Sequence, residues 1–376
     1  MKRKIRHLFS LLFCGLLFIA CSKQKKTEEV LFSFEQNLIK YAEGVRVFKI
    51  ENGYRMQFLN PWIEGKLLAD FFLYPDTLKL AKKQENVIRT PLRSLITLSS
   101  TQWSPLNQLD EIAIVKGISE SSYVNDSVMK NRLLSGETIE VATESSFNVE
   151  RMIQLNVDAI LYSAYPSGIP EQLLKVSTTR IPWIDYYESH PLGRAEWLRV
   201  MGFLTGKSEI ADTWFDSIVA RYEKLQNLAK NAEPKPTVFS DKPFSGQWYI
   251  PGGKSYVATL FNDSGADYLW KENDSKAGFP VDPEVLISKA QNADYWRIAQ
   301  YVPIENYSYQ NLVSENEIYE TFRAVKEKQV LFCDISQTAY FEKAQYEPEI
   351  VLSDFIYCFH PELLKEYEPV YFKRLK

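Results

Sequence analysis

The sequence predicts an α/β protein: two α/β lobes with parallel-type sheets joined by one long α-helix, with a small N-terminal β extension. Three observations carry this. Short apolar strands alternate with helical segments from Leu95 to Tyr186, the alternation resumes at Pro236, and one amphipathic helix from Ser208 to Lys230 lies between the two runs. Strands that alternate with helices indicate parallel sheets, because each parallel pair needs a crossover.

The first residues read as an address. Lys2, Arg3, Lys4 and Arg6 precede an apolar run from Leu8 to Ala20, and small Ala20 stands just before Cys21. That is the layout of a secretory signal. The cysteine after the small residue resembles a bacterial lipobox, which implies lipidation of Cys21 with palmitate-type chains. The apolar run is shorter than the ~20 residues a transmembrane helix needs. Polar residues 21–29 then read as a solvated tether.

Between 30 and 90 the pattern is strand-like. Gly44–Ile50 alternates with period two, Asn52-Gly53 signals a hairpin turn, and Tyr54–Phe58 follows it. The N-terminal lobe, residues 91–187, opens with Leu95–Leu98. Further strands are expected at Ile112–Val115 (ended by Lys116-Gly117), Thr138–Val141, Ala159–Tyr162 and Ile181–Tyr186. A helix is expected over Val149–Leu155 with Asn148 as N-cap. Residues 188–233 hold the linker helix. Ser208 is its expected cap, and Ile210, Trp214, Ile218, Tyr222 and Leu225 form an apolar stripe that Phe215 and Val219 widen. Pro234 and Pro236 stop it. The C-terminal lobe, residues 234–376, repeats the alternation through Pro236–Ser240, Leu260–Leu269, Glu284–Ala290, Asp294–Ile298, Val330–Phe332 and a helix near Ile350–Phe359.

Composition narrows the function classes. Apolar residues make 45% of the chain and charged residues 24%, the balance of a globular protein. Removing the four signal cations lowers the 44 basic residues to 40 against 48 acidic ones, so no nucleic-acid partner is expected. The 22 Tyr, 22 Phe and 8 Trp supply aromatic walls for a flat ligand, although most must pack the core. Past Cys21 only Cys333 and Cys358 remain; a disulfide and two buried thiols are both open. With His190 and His360 alone after the signal, a multi-histidine metal site is disfavoured. Pro251-Gly252-Gly253-Lys254-Ser255 lacks phosphate-loop spacing and reads as a turn before a helix.

Two segments carry a family resemblance: Phe147–Ile160, with the pattern N-V-E-R-M-I-Q-L-N-V-D-A-I, and Phe279–Leu286. His190–Trp197 and the Gly206-Lys207 break lie between them. From about Arg93 to the end the chain resembles the periplasmic binding proteins of ABC importers for iron-siderophores, cobalamin and haem, with Val157 where that family usually has proline. The resemblance implies a binding protein and not an enzyme. It implies no cofactor, a small-molecule iron or cobalt chelate as ligand, and an ABC permease with its ATPase as partners. It places the protein in the periplasm, lipid-anchored to the cell membrane or to the inner face of an outer membrane. A surface lipoprotein or scavenger that keeps the fold without transport is the alternative.

In such a protein the ligand cleft lies beyond the carboxyl ends of the strands. Candidates in the first lobe are Thr101, Gln102 and Trp103, then Tyr162, Ser163 and Tyr165, then Tyr186, Tyr187 and Arg194. In the second lobe they are Phe244, Gln247, Trp248, Tyr249 and Tyr301. Arg194 can pair with an anionic ligand group or close a salt bridge to Asp185 or Glu188. His190 and Tyr187 are candidate iron ligands, and a turn histidine before Pro191 can equally serve locally. The resemblance also implies one docking glutamate per lobe, Glu171 and Glu284, each in an expected first helical turn where the helix dipole alone favours a carboxylate.

Overall fold

The computed structural model describes residues 36–78, 86–143, 146–302, 304 and 306–376. The signal, Cys21 and the tether lie outside the described residues. Among those described, no helix is long and apolar enough to cross a membrane.

The N-terminal extension is a four-stranded sheet of β1 (Val45–Ile50), β2 (Gly53–Leu59), β3 (Leu67–Pro75) and β4 (Val87–Thr90), in that order. The first three strands pair antiparallel, and β4 runs parallel to β3. Alternation decides the inner face: Val45, Val47, Met56, Phe58, Phe71 and Leu73 are buried. The expected hairpin forms one residue early. Ile50 sits opposite Gly53, so Glu51 and Asn52 make the loop and Asn52 takes φ +62°. Gly53 is needed for a different reason, since a Cβ there would lie 2.1 Å from the Leu73 carbonyl oxygen.

The first lobe is built on β5 (Leu95–Thr97), β6 (Val115–Ser119), β7 (Ile139–Thr143), β8 (Ser146–Phe147), β9 (Ala159–Ser163) and β10 (Thr179–Trp183). Their order is β10-β9-β5-β6-β7-β8, parallel except for β8. Two strands differ from expectation. Ile112–Ile114 is a 3-10 turn and the strand follows it, running through Gly117. The glycine is a packing residue there: a Cβ would come within 3.1 Å of Val141, Ile96 and Leu155 side-chain carbons. Likewise Asp185–Tyr187 is a 3-10 turn beyond β10. Asn148 caps helix Val149–Leu155 as expected, its Oδ1 accepting from the Arg151 amide at 3.0 Å.

Two helices connect the lobes. Pro191–Thr205 completes the first lobe and Ser208–Ala229 is the linker, 22 residues or about 33 Å long. Gly206, at φ +70°, makes the corner between them. Ser208 is the first helical residue and not the cap; Lys207 holds that position without a side-chain bond. Most of the expected stripe holds, with Phe215, Ile218 and Tyr222 buried and Val219 and Leu225 packed against the core, but its N-terminal end differs. Ile210 and Trp214 are 42% and 43% exposed, whereas Ala211, Phe215, Ile218 and Tyr222 are buried. The cause is the close crossing at Gly202, where a Cβ would meet the Ala211 Cβ at 2.6 Å. The small pair brings the two helices close at this end and leaves Ile210 and Trp214 facing outward.

In the second lobe β11 (Thr237–Ser240), β14 (Asp267–Tyr268), β16 (Tyr295–Gln300), β17 (Val330–Asp334) and β18 (Lys373–Arg374) order as β14-β11-β16-β17-β18. Only β18 is antiparallel. A separate ribbon, β12 (Pro243–Phe244), β13 (Gln247–Ile250) and β15 (Phe279–Val281), leaves the main sheet after β11. The core is aromatic: Phe239 stacks on Trp296 at 5.1 Å, and Trp248, Tyr319 and Phe322 close around them. Cys333 and Cys358 are both buried free thiols, which closes the disulfide alternative.

The extension is clamped to the helix before the linker. Buried Glu196 accepts the amides of Lys40 (2.9 Å), Tyr41 (2.6 Å) and Ala42 (2.9 Å), and Arg199 donates to it at 2.8 Å. Glu188 takes the next two amides, Glu43 at 2.7 Å and Gly44 at 3.0 Å, together with the Trp197 indole at 2.9 Å. Burial pushes Glu188 up to about 7 against the pull of those three donors. Phe58 and Tyr54 then pack on Trp197 and Phe203. Replacing Glu196 by Ala removes the acceptor of three part-buried amides and one partner of Arg199, which keeps Asp212 and the Leu38 carbonyl, so unfolding by urea should show a loss of about 3–5 kcal/mol. Asp76→Ala, which removes an exposed ion pair with Arg93, should change it by less than ~1 kcal/mol. Equal effects of the two substitutions would refute the clamp.

Candidate functional site

Strand order reverses between β5 and β9 in the first lobe and between β11 and β16 in the second. Ligands gather outside the carboxyl ends of strands at such switch points. A cavity of about 710 Å³ lies there, between the lobes. Its first-lobe wall comes from Leu98–Thr101 and Trp103 after β5, Ser119–Asn125 at the end of β6, Lys130, and Ser163 and Tyr165 at the end of β9. Its second-lobe wall comes from Tyr301 after β16 and from Ile335, Ser336, Thr338, Phe341 and Glu342 after β17. The volume suits a cofactor-sized ligand.

The residues after β17 also stitch the lobes together. The Asn125 side chain donates to the carbonyls of Ile335 (2.8 Å) and Thr338 (3.1 Å), and Ser100 Oγ donates to Phe341 O at 3.1 Å. Tyr346, buried in the first lobe's core, donates to Thr101 O at 2.6 Å. Glu342 is the centre of the seam. It is 2% exposed, its Oε1 accepts the amides of Asn125 (2.6 Å) and Asp126 (3.1 Å), and its buried Oε2 has no partner. Burial holds its carboxyl above the ordinary range despite those two amides.

A second, smaller cavity of about 250 Å³ shares Thr101 and Phe341 with the first and is lined also by Tyr186, Arg194, Tyr256 and Tyr340. Arg194 is engaged on two sides: its Nη2 meets Asp185 at 3.2 Å, and its guanidinium lies 4.3 Å over the Tyr256 ring. The salt bridge considered from sequence is present.

Residues 95–336, well over half of the chain, match the family model for periplasmic binding proteins. The chain belongs to that family. A curated relative, an uncharacterized lipoprotein of Methanocaldococcus jannaschii, is 27% identical over 359 residues, covering 87% of this chain and 83% of that protein. Solved structures share the fold at low identity. S. aureus IsdE complexed with heme is 16% identical, with TM-score 0.56 over 71% of this chain and 98% of that one. A periplasmic heme-binding protein from Pseudomonas aeruginosa is 14% identical, with TM-score 0.58 over 76% and 98%. The TroA-like periplasmic binding protein FepB from Veillonella parvula is 17% identical, with TM-score 0.55 over 77% and 96%.

Against this family frame the expected residues separate into groups. Thr101, Trp103, Ser163, Tyr165 and Tyr301 line the large cavity, and Tyr186 and Arg194 line the small one. Gln102 is buried and structural: its Oε1 accepts from the Leu98 amide at 2.7 Å and its Nε2 reaches Ser163. Tyr162 is a core residue of β9. Tyr187 lines neither cavity and packs edge-on against Trp62 of the extension at 5.9 Å. His190 caps its helix, Nδ1 accepting from the Leu192 amide at 3.1 Å, between the rings of Tyr41 and Tyr222.

Phe244, Gln247, Trp248 and Tyr249 are also absent from both cavity walls. They belong to the ribbon, where Trp248 pairs with Val281 and is 1% exposed while Phe244 is 75% exposed. The antiparallel excursion carries them off the carboxyl edge. Sequence reasoning missed Ser119–Asn125, because β6 was expected too early, and missed Ser336–Glu342. The same rule applied after Val330–Phe332 would have reached the latter. Among the described residues no cluster of three His, Cys, Asp or Glu side chains is set to hold a bare metal ion.

The raised Glu342 pKa sets a sign. Its contribution to stability is present below the ordinary carboxylate pKa, about 4.3, and is lost as pH rises through the folded value. Measured by urea unfolding from pH 4 to 7, Glu342→Gln should therefore gain stability relative to wild type as pH rises. Glu342→Ala should lose about 1–3 kcal/mol, because two interlobe amides lose their acceptor. A relative stability of the Gln variant that falls with pH would contradict the assignment.

Proposed function

We propose that this protein is the substrate-binding lipoprotein of an ABC importer. It captures an iron or cobalt chelate (siderophore, haem or corrinoid) between its lobes and delivers it to a membrane permease with its ATPase. The observation that carries the reading is the 710 Å³ cavity at the carboxyl edges of both sheets, walled by tyrosines and hydroxyl side chains from each lobe. The haem-bound and heme-binding neighbours of the same fold are consistent with it. Attachment through a lipidated Cys21, and hence a place in the periplasm on the cell membrane or on the inner face of an outer membrane, rests on the lipobox-like sequence and on the lipoprotein relative.

Docking would use Glu171 and Glu284. Both are exposed, and each lies in the first turn of a helix, Glu171–Leu174 and Pro283–Ala290. Neither side chain has an ion-pair or hydrogen-bond partner among the described residues. Each has an exposed apolar neighbour, Leu174 and Val285, so a permease arginine could be met by a carboxylate at a partly apolar contact.

Tryptophan quenching of a soluble form lacking the signal, corrected for inner-filter absorption, should be saturable and sub-micromolar with one chelate class. Trp103, at the cavity wall, would be a principal reporter. The double charge reversal Glu171→Lys/Glu284→Lys should abolish cellular uptake while leaving Kd within about twofold. Full uptake by that variant would overturn the docking assignment. Tight binding by the wild type without any permease-dependent uptake would favour the scavenger alternative.

A further inference from the structure

The lining of the large cavity narrows the chelate class. Its charged residues are Lys130, Glu120 and Glu342, and it contains no arginine or histidine among the described residues. Multiply anionic ligands are held by arginine forks or clusters of cations. Arg194, at the adjoining smaller cavity, and buried Arg297 are engaged by other partners. Arg194 pairs with Asp185, and Arg297 pairs with Asp241 at 2.7 Å and with the Tyr340 hydroxyl at 3.0 Å; neither lines this cavity.

What the wall offers is hydrogen bonding and aromatic faces. Tyr123, Tyr165 and Tyr301 are about half exposed, and their hydroxyls have no partner among the described residues. Tyr123 and Tyr301 come from opposite lobes and meet edge to face at 6.0 Å. The same wall carries the hydroxyls of Ser122, Ser336 and Thr338. Glu342 adds a buried carboxylate at the same wall, which disfavours any further negative charge beside it.

We infer that the ligand is an uncharged or weakly cationic chelate rich in carbonyl, amide or hydroxyl groups, held by tyrosine and serine/threonine hydroxyls and not by a cationic cage. This rests on the reading of the cavity as a chelate site.

The test is equilibrium binding by the soluble protein of four probes: a cyclic ferric trihydroxamate of zero charge, cyanocobalamin, a trianionic ferric tris-catecholate, and ferric protoporphyrin with its two propionates. One of the two uncharged probes should bind at sub-micromolar Kd, changing less than about threefold between 50 and 500 mM NaCl, because no charges are screened. The tris-catecholate should bind at least 100-fold more weakly, and Ser122→Lys, which adds a cation to the exposed wall, should narrow that gap at least tenfold. Salt-sensitive binding of the tris-catecholate or the porphyrin as tight as that of the uncharged probes would overturn the inference and leave the chelate reading intact. Failure of all four to bind would overturn the chelate reading itself, and the inference with it.

Discussion

Segment Ile335–Tyr346 leaves the second lobe after β17 and inserts into the first, and the geometry of the cleft depends on that crossing. Its backbone carbonyls are held by Ser100 and Asn125, its Glu342 carboxylate accepts two first-lobe amides, and its Tyr346 ring is part of the first lobe's core. Buried polar groups that find partners across an interface fix its register, because leaving them unpaired costs more than the bonds contribute. Together with the linker helix Ser208–Ala229, the crossing gives the lobes two separate connections. Large domain closure would have to break the seam, so ligand entry is a matter of side chains and short loops at the mouth.

The crossing also divides the space between the lobes. Thr101 and Phe341 belong to the walls of both cavities, with Arg194 at the smaller one and Tyr123, Tyr165 and Tyr301 at the larger. A buried guanidinium is therefore kept beside its counter-ion and an aromatic ring, where its charge is compensated. The larger cavity carries mostly hydroxyls and aromatic rings, with Lys130, Glu120 and Glu342 as its charged residues.

The N-terminal sheet is a structural part of the first lobe and not a cover over the cleft. Its inner face packs on Trp197 and Phe203, and the backbone amides of residues 40–44, just before β1, are bound by Glu196 and Glu188. Trp62 of the extension meets Tyr187, and from there a run of rings continues to Tyr186 and Tyr165. The tyrosine at the mouth is thus supported from behind by the extension. Two buried carboxylates are tolerated here because nearly every lone pair that faces inward has an N–H donor.

Local pattern determined much of this protein. Period-two alternation marked the extension strands, helix-strand alternation marked both lobes, Asn148 marked a cap, and the uninterrupted run after Gly206-Lys207 marked the linker. Each depends on residues close in sequence, as the backbone geometry of strands and helices does. The rule that ligands sit after the strands reached Thr101, Tyr165 and Tyr301. It failed for Phe244–Tyr249, because the pairing of Trp248 with Val281 joins residues far apart in the chain and no local signal announces it. The apolar stripe of the linker helix set most of its buried face, but contact of Gly202 with Ala211 decided its N-terminal end, where Ile210 and Trp214 face outward. The seam at Glu342 and the placement of Arg194 away from the large cavity came only from the tertiary structure. Which side chains meet across a cleft depends on how two separately folded sheets dock, and docking is set by long-range packing that the order of residues does not display.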